Sequence, residues 1–181
     1  RMIPRVGDGT LSAWIPRGLV ELGDERVGSP APITRADGLC ALKVSWRDGR
    51  IVQVQPLVEG AEEPDQMLLP RLLEPHAHLD KAFSWSRYPN LSGTYAGAMA
   101  ANLREHQTRT VEVVQERFER SMELIWRHGL RAVRTHIDSL GPGAQCSWDA
   151  ILDGASRWQD RVTVQPVALV PVEHWGLSLI H

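Results

Sequence analysis

The feature that most constrains this chain is a change of hydrophobic rhythm, repeated between residues 67 and 170. A nearly continuous apolar run at 67–75 is followed by a stripe at helical spacing, Val114, Phe118, Met122 and Ile125, that stops at Gly129. A second strand-like run covers 130–137, a helical stretch 148–159 and a third run 162–170. Near-continuous apolar runs suit parallel strands buried on both faces, and strands that alternate with helices join into one parallel sheet. The pattern predicts an α/β fold. Thr110 is placed to cap the first long helix, with Glu112 in the first turn, where the helix dipole favours an anion. A helix over 96–107 is expected before it. Ser147 is placed to cap the later helix, with Ile151, Leu152, Ala155 and Trp158 facing inward.

The first 66 residues read differently. Residues 14–20 suggest a short strand, and 24–37 hold turn formers with little periodicity, as a loop does. Residues 1–9 are compatible with disorder. Residues 39–46 are strand-like. Asp48-Gly49 signals a hairpin turn, and 51–55 alternates apolar and polar as a half-buried strand should. Residues 59–66 form an acidic, solvated loop and 84–95 a polar, aromatic one. The division expected is 1–66, a segment of a small β-domain, and 67–181, the βα units.

Chemistry enters at the end of the first apolar run, in Leu72-Leu73-Glu74-Pro75-His76-Ala77-His78-Leu79-Asp80-Lys81. Side chains at i and i+2 of a strand point the same way, so His76 and His78 should project together. Paired neutral imidazoles bind divalent transition metals. Strand-end histidines bonded to neighbouring loops are the plainer alternative. The second run ends in Arg134-Thr135-His136-Ile137-Asp138, which brings a third histidine to a strand end. Arg134 and Asp138 read as a structural ion pair. His106 and His128 fall on helices and read as surface residues, and His174 and His181 are not taken as ligands.

The decapeptide resembles the first-strand signature of the amidohydrolase superfamily, in the form typical of its cytosine deaminase branch. Residues 129–138 resemble that branch's second barrel strand, and Asn90-Leu91-Ser92-Gly93-Thr94-Tyr95 its loop on the substrate side. The hairpin around Asp48-Gly49-Arg50-Ile51 resembles the small β-domain that precedes the barrel. The resemblance implies a (β/α)₈ barrel, which takes about 250 residues, so this sequence looks like the front portion, with about three of its eight βα units. It also implies one divalent metal ion, Fe²⁺ or Zn²⁺, with His76 and His78 as ligands. Hydroxide activated there would attack the amidine carbon of a small nitrogen heterocycle, and ammonia would leave. His136 and Asp80 would support the ligands or line the pocket, and Tyr95 would stack on the substrate ring. Lys81 is misplaced for a metal-bridging lysine. No catalytic proton shuttle is expected within the chain. That residue, a third metal histidine, a later pocket histidine and a metal aspartate would lie beyond residue 181. Removal of an alkylamine from an aminotriazine is a near variant. The alternative is a truncated or degenerate remnant without independent catalysis, a weak metal binder or an interaction module. The family also suggests a homo-oligomer.

Composition narrows the partners. A net charge of −2 gives no footprint for nucleic acid. No apolar run approaches the roughly 18 residues of a membrane span. Two distant cysteines, Cys40 and Cys146, read as packing residues of a reduced, cytoplasmic protein.

Overall fold

The computed structural model describes residues 7–20 and 31–174. Residues 1–6 and 21–30, parts of the segments read above as disorder and loop, and His181 lie outside the described residues. The chain divides into two compact units, Arg1–Pro70 and Arg71–His181.

The first unit is an antiparallel meander of β1 (Gly9–Pro16), β2 (Leu39–Arg47) and β3 (Arg50–Pro56), in that order. Asp48 and Gly49 both take positive φ, 51° and 74°. That is the mirror-image turn whose twist matches a hairpin, and Asp-Gly is its preferred pair. Alternation divides the core: Ala13, Ile15, Cys40, Leu42 and Val44 cluster on one face, and Trp14, Leu39 and Ala41 on the other. β3 departs from expectation. It is exposed along nearly its whole length, not half-buried, because it pairs on one side only and no described layer of this unit covers it. The run at 67–75 is also two pieces. Leu68 N donates to Trp14 O (2.9 Å) within the first unit, and Pro70, which cannot donate to a ladder, separates it from the strand that follows.

The second unit contains β4 (Leu72–Ala77), α1 (Tyr95–His106), α2 (Val111–Arg127), β5 (Leu130–Asp138), α3 (Ala144–Trp158) and β6 (Thr163–Leu169). Its strands form a parallel sheet in the order β4-β5-β6. Val114, Phe118 and Met122 of α2 and Ala150, Ile151 and Trp158 of α3 pack with Val133 and Ile137 of β5. Gly154 permits the close helix approach, since a Cβ there would meet the Phe118 ring at 2.4 Å. Thr110 caps α2 by accepting from Val113 N (3.3 Å), and Gly129 ends it at φ 77°. Among the described residues no helix is long and apolar enough to cross a membrane.

Three expectations change here. Leu72 and Leu73 of β4 are 59% and 65% exposed, because β4 is an outer strand with helices on one side of its sheet. Ser147 does not cap α3. The helix begins a turn earlier, after Gly143, and Ser147 is a buried residue inside it that donates back to Gly143 O (2.8 Å). Leu152 points outward, while Ile151, Gly154 and Trp158 form the buried face.

Candidate functional site

β5 sets up the site by alternation. Val133, Thr135 and Ile137 are buried on the helix side, so Arg134, His136 and Asp138 share the opposite face. β4 runs alongside, with a register irregularity between Glu74 and Ala77. Three steps of β4 there oppose two of β5, a bulge at Pro75-His76 of the kind that re-aims side chains beside sites. Leu79 N then donates to the buried Thr135 Oγ1 (3.0 Å), which ties down the chain just past the strand.

The histidines meet. His76 and His78 ring centroids lie 5.1 Å apart, and their Nε2 atoms 3.3 Å apart. His136 stacks on His76 with centroids at 4.2 Å and planes 21° apart. His78 Nδ1 lies 2.8 Å from His136 O. A carbonyl only accepts, so Nδ1 carries the proton and the Nε2 lone pair is left for a ligand. Burial, with the nearby Lys81 charge, lowers the His78 pKa below the ordinary histidine value and favours the neutral ring. Two imidazole nitrogens at a tetrahedral zinc, each at about 2.0–2.1 Å, would lie roughly 3.3 Å apart. The pair fits such an ion. Among the described residues no group of three or more His, Cys, Asp or Glu stands ready to hold one. His136 offers its ring face to His76, and its buried Nδ1 has no partner among the described residues.

Asp80 and Asp138 lie two residues beyond His78 and His136, and both reach Arg109. Arg109 is buried in the stretch between α1 and α2. Its Nη1 donates to Asp80 Oδ2 and Ser147 Oγ, each at 3.0 Å; its Nη2 to Glu105 Oε2 and, at 3.5 Å, to Asp138 Oδ2; its Nε to the Glu105 carboxylate. Asp80 Oδ2 also accepts from Asp138 N (3.2 Å). Arg117 pairs with Glu105 and donates to Asp80 O (3.1 Å). Burial pushes the Asp80 carboxyl up against the pull of Arg109. Burial would raise Glu105 too, but hydrogen bonds from Arg109 and Arg117 prevail and lower it. Asp138 is likewise lowered against burial, chiefly by Lys81, whose Nζ donates to both its oxygens at 2.8 and 2.9 Å. Asp138 thus pairs with Lys81 and Arg109, and Arg134 donates to Gln165 (2.8 Å). The expected Arg134–Asp138 pair does not form, because four residues along a strand span about 13 Å.

Tyr95 opens α1, capped by Thr94, and is 81% exposed. With Met99, Lys81, Asp138 and Leu169 it lines a groove of about 440 Å³. His106 is buried, not on the surface: its Nδ1 accepts from Gly143 N (3.2 Å), and Gly141 and Gly143 press on its ring. His128 and His174 are exposed. Cys40 is buried and Cys146 half-buried, both unbridged. Arg109 and Glu105 carry no motif that marks them in the sequence. Their i, i+4 spacing was visible, but nothing local announces that Asp80, Asp138 and Ser147 converge on the same guanidinium.

Comparison with known proteins yields the following. No protein-family model matches the chain. A pterin deaminase of Rhizobium rhizogenes is 30% identical over 145 residues, 76% of this chain and 33% of that protein. A 5-methylcytosine deaminase from Klebsiella pneumoniae, solved with 5-fluorocytosine, shares the fold with a TM-score of 0.61 at 23% identity, over 76% of this chain and 35% of that one. A triazine hydrolase from Arthobacter aurescens aligns at a TM-score of only 0.44 and 16% identity, over 87% of this chain and 35% of that one. The chain therefore spans about a third of the length of the relatives it matches. The sequence match is thus to a third of a deaminase, and the 5-methylcytosine deaminase shares the fold.

Proposed function

From this place beside deaminases, we propose that the chain supplies the leading strands of a metal-dependent (β/α)₈ barrel hydrolase that cleaves a C–N bond in a small nitrogen heterocycle and releases ammonia. The observation that carries the reading is the approach of His76 Nε2 to His78 Nε2 (3.3 Å) at the end of a parallel strand, where such barrels keep their active sites. His76 and His78 would hold a divalent metal ion, Fe²⁺ or Zn²⁺, which when bound would polarise a water molecule. The chain's own residues prepare for it. His136 O fixes the His78 tautomer, and the His136 ring braces His76. Lys81, held by Asp138, and the exposed Tyr95 line a groove wide enough for a heterocycle. The relatives support a flat, nitrogen-rich substrate, since the matched proteins are named for pterin and 5-methylcytosine.

A second reading is favoured by the ligand count. Catalytic zinc normally has three protein ligands, and two histidines converge here among the described residues. On that reading the chain binds metal weakly without turnover. The test is to load the protein, as its native source produces it, with Zn²⁺ or Fe²⁺ and follow ammonia release from cytosine and pterin, beside its His76→Ala variant. Metal-dependent release that His76→Ala abolishes supports the first reading. Metal binding that His76→Ala abolishes, with no release, supports the second. Binding unchanged in His76→Ala refutes both.

A further inference from the structure

We propose that Arg109 is a positioning residue for the rings of His76 and His78: it pins the chain beyond β4 to the end of β5 and so sets the approach of His76 to His78. The inference rests on the metal reading above only where metal affinity is the readout.

Arg109 is satisfied as an arginine and could not be as a lysine. A guanidinium has five N–H donors in a fixed fork, an ammonium three on a flexible stem. Glu105, Asp80, Ser147 and Asp138 engage Nε and both terminal nitrogens. Two of these partners mark the ends of the strands that carry the histidines. Asp80 follows His78 by two residues and Asp138 follows His136 by two. The same Asp80 oxygen that meets Arg109 also accepts from the Asp138 amide at 3.2 Å. One guanidinium thus closes a bridge between the two segments, next to the bond from His78 Nδ1 to His136 O. Glu105, on α1, engages Nε, shares Nη2 with Asp138 and is joined besides to Arg117. Loss of the Glu105 charge leaves the bridge from Arg109 to Asp80 and Asp138 in place, so this substitution separates positioning from mere support.

The experiment compares the chain with Arg109→Lys and Glu105→Gln. Zn²⁺ affinity is read by competition with a chromophoric chelator, thermal midpoint by circular dichroism, and the His78 Nδ1–H by ¹H–¹⁵N spectra of the metal-free protein. Groups that orient metal ligands typically change affinity by about 10–100-fold when altered. The expectation is a loss in that range for Arg109→Lys, with a weakened or absent His78 Nδ1–H signal. Glu105→Gln should lower the thermal midpoint yet keep affinity within about threefold, with the proton signal intact. If affinity follows thermal midpoint in both variants, or moves in neither, the positioning role is overturned. Should the parent chain bind no Zn²⁺, the metal reading fails by itself, and the Nδ1–H signal still decides: its persistence in Arg109→Lys overturns the inference. If Arg109→Lys fails to fold, Asp80→Asn, which keeps the shape and severs the charge link on the β4 side, carries the same expectations.

Discussion

The histidine group and the group that meets Arg109 share two stretches of chain, where Asp80 and Asp138 follow His78 and His136 by two residues, and they are built in opposite ways. His76 and His136 are exposed or half-buried, and His76 and His78 meet nitrogen to nitrogen, with no carboxylate among the described residues bonded to either ring. Arg109, Asp80 and Glu105 are buried, and Arg109 uses each of its nitrogens on a partner. Polar atoms near solvent can exchange one partner for another at little cost, whereas a buried charge tolerates no vacancy. The first arrangement suits a ligand that comes and goes. The second suits a joint that must not move. On the inference above, the fixed charges act beside the His78–His136 and Leu79–Thr135 bonds in holding these strand ends together.

The comparison breaks most visibly if the joint is cut. Arg109→Met fills similar space but takes the ion pair from the buried Asp80 carboxylate, while Glu105 keeps only Arg117. Removing one partner of a buried, hydrogen-bonded charge group costs about 3–5 kcal/mol. Urea unfolding should show a loss of that size. By contrast His76→Ala, at an exposed position, should change stability within about 0.5 kcal/mol. Equal losses in the two variants would erase the distinction between joint and site.

How much of this was legible in the sequence follows from how local each cause is. The α2 cap at Thr110, the stop at Gly129 and the Asp48-Gly49 turn depend on a few adjacent residues, and each stands where the sequence placed it. His76 and His78 meet as their i, i+2 spacing suggests, though past a bulge in β4 that the spacing alone does not show. The failures are non-local. Ser147 resembles a cap, but its hydroxyl is taken by Arg109 and Gly143, from 38 residues away in the first case. His106 looked exposed on a helix and is covered by the Gly141–Gly143 turn, which sequence spacing cannot place beside it. The exposure of β3 and β4 depends on which layers lie over them, a property of the assembled sheet rather than of the strand.

Acid sharpens the comparison, because the two groups titrate in different ranges. Burial lowers His78 and His106 below the ordinary histidine value near 6.5, aided by Lys81 and Arg109 respectively. A histidine that resists protonation in the fold takes up its proton more readily when unfolded. Its stabilising contribution is therefore complete above about 6.5 and is lost as pH falls from there through the lowered folded value. Glu105 and Asp138, also lowered, contribute above the ordinary carboxylate range near 4 and lose that contribution as pH falls through their folded values. Asp80, raised by burial, works the other way. Imidazole chemical shifts followed by NMR isolate the first step. Both rings should have midpoints below 6.5, and a midpoint at or above 6.5 for either would contradict the burial described for it.

The smallest expected effect separates the guanidinium from the helix beside it. Thr110 adjoins Arg109 and caps α2 through its bond from Val113 N (3.3 Å). Thr110→Ala removes one cap, which costs about 1 kcal/mol. It leaves the carboxylates of Asp80, Glu105 and Asp138 on Arg109, because these come from other segments of the chain. Thermal stability should fall slightly while Zn²⁺ affinity and the His78 Nδ1–H signal stay as in the parent. If Thr110→Ala weakens Zn²⁺ binding as much as Arg109→Lys does, the seating of α2 as a whole controls the histidines. The buried charges would then be one support among several rather than the joint itself.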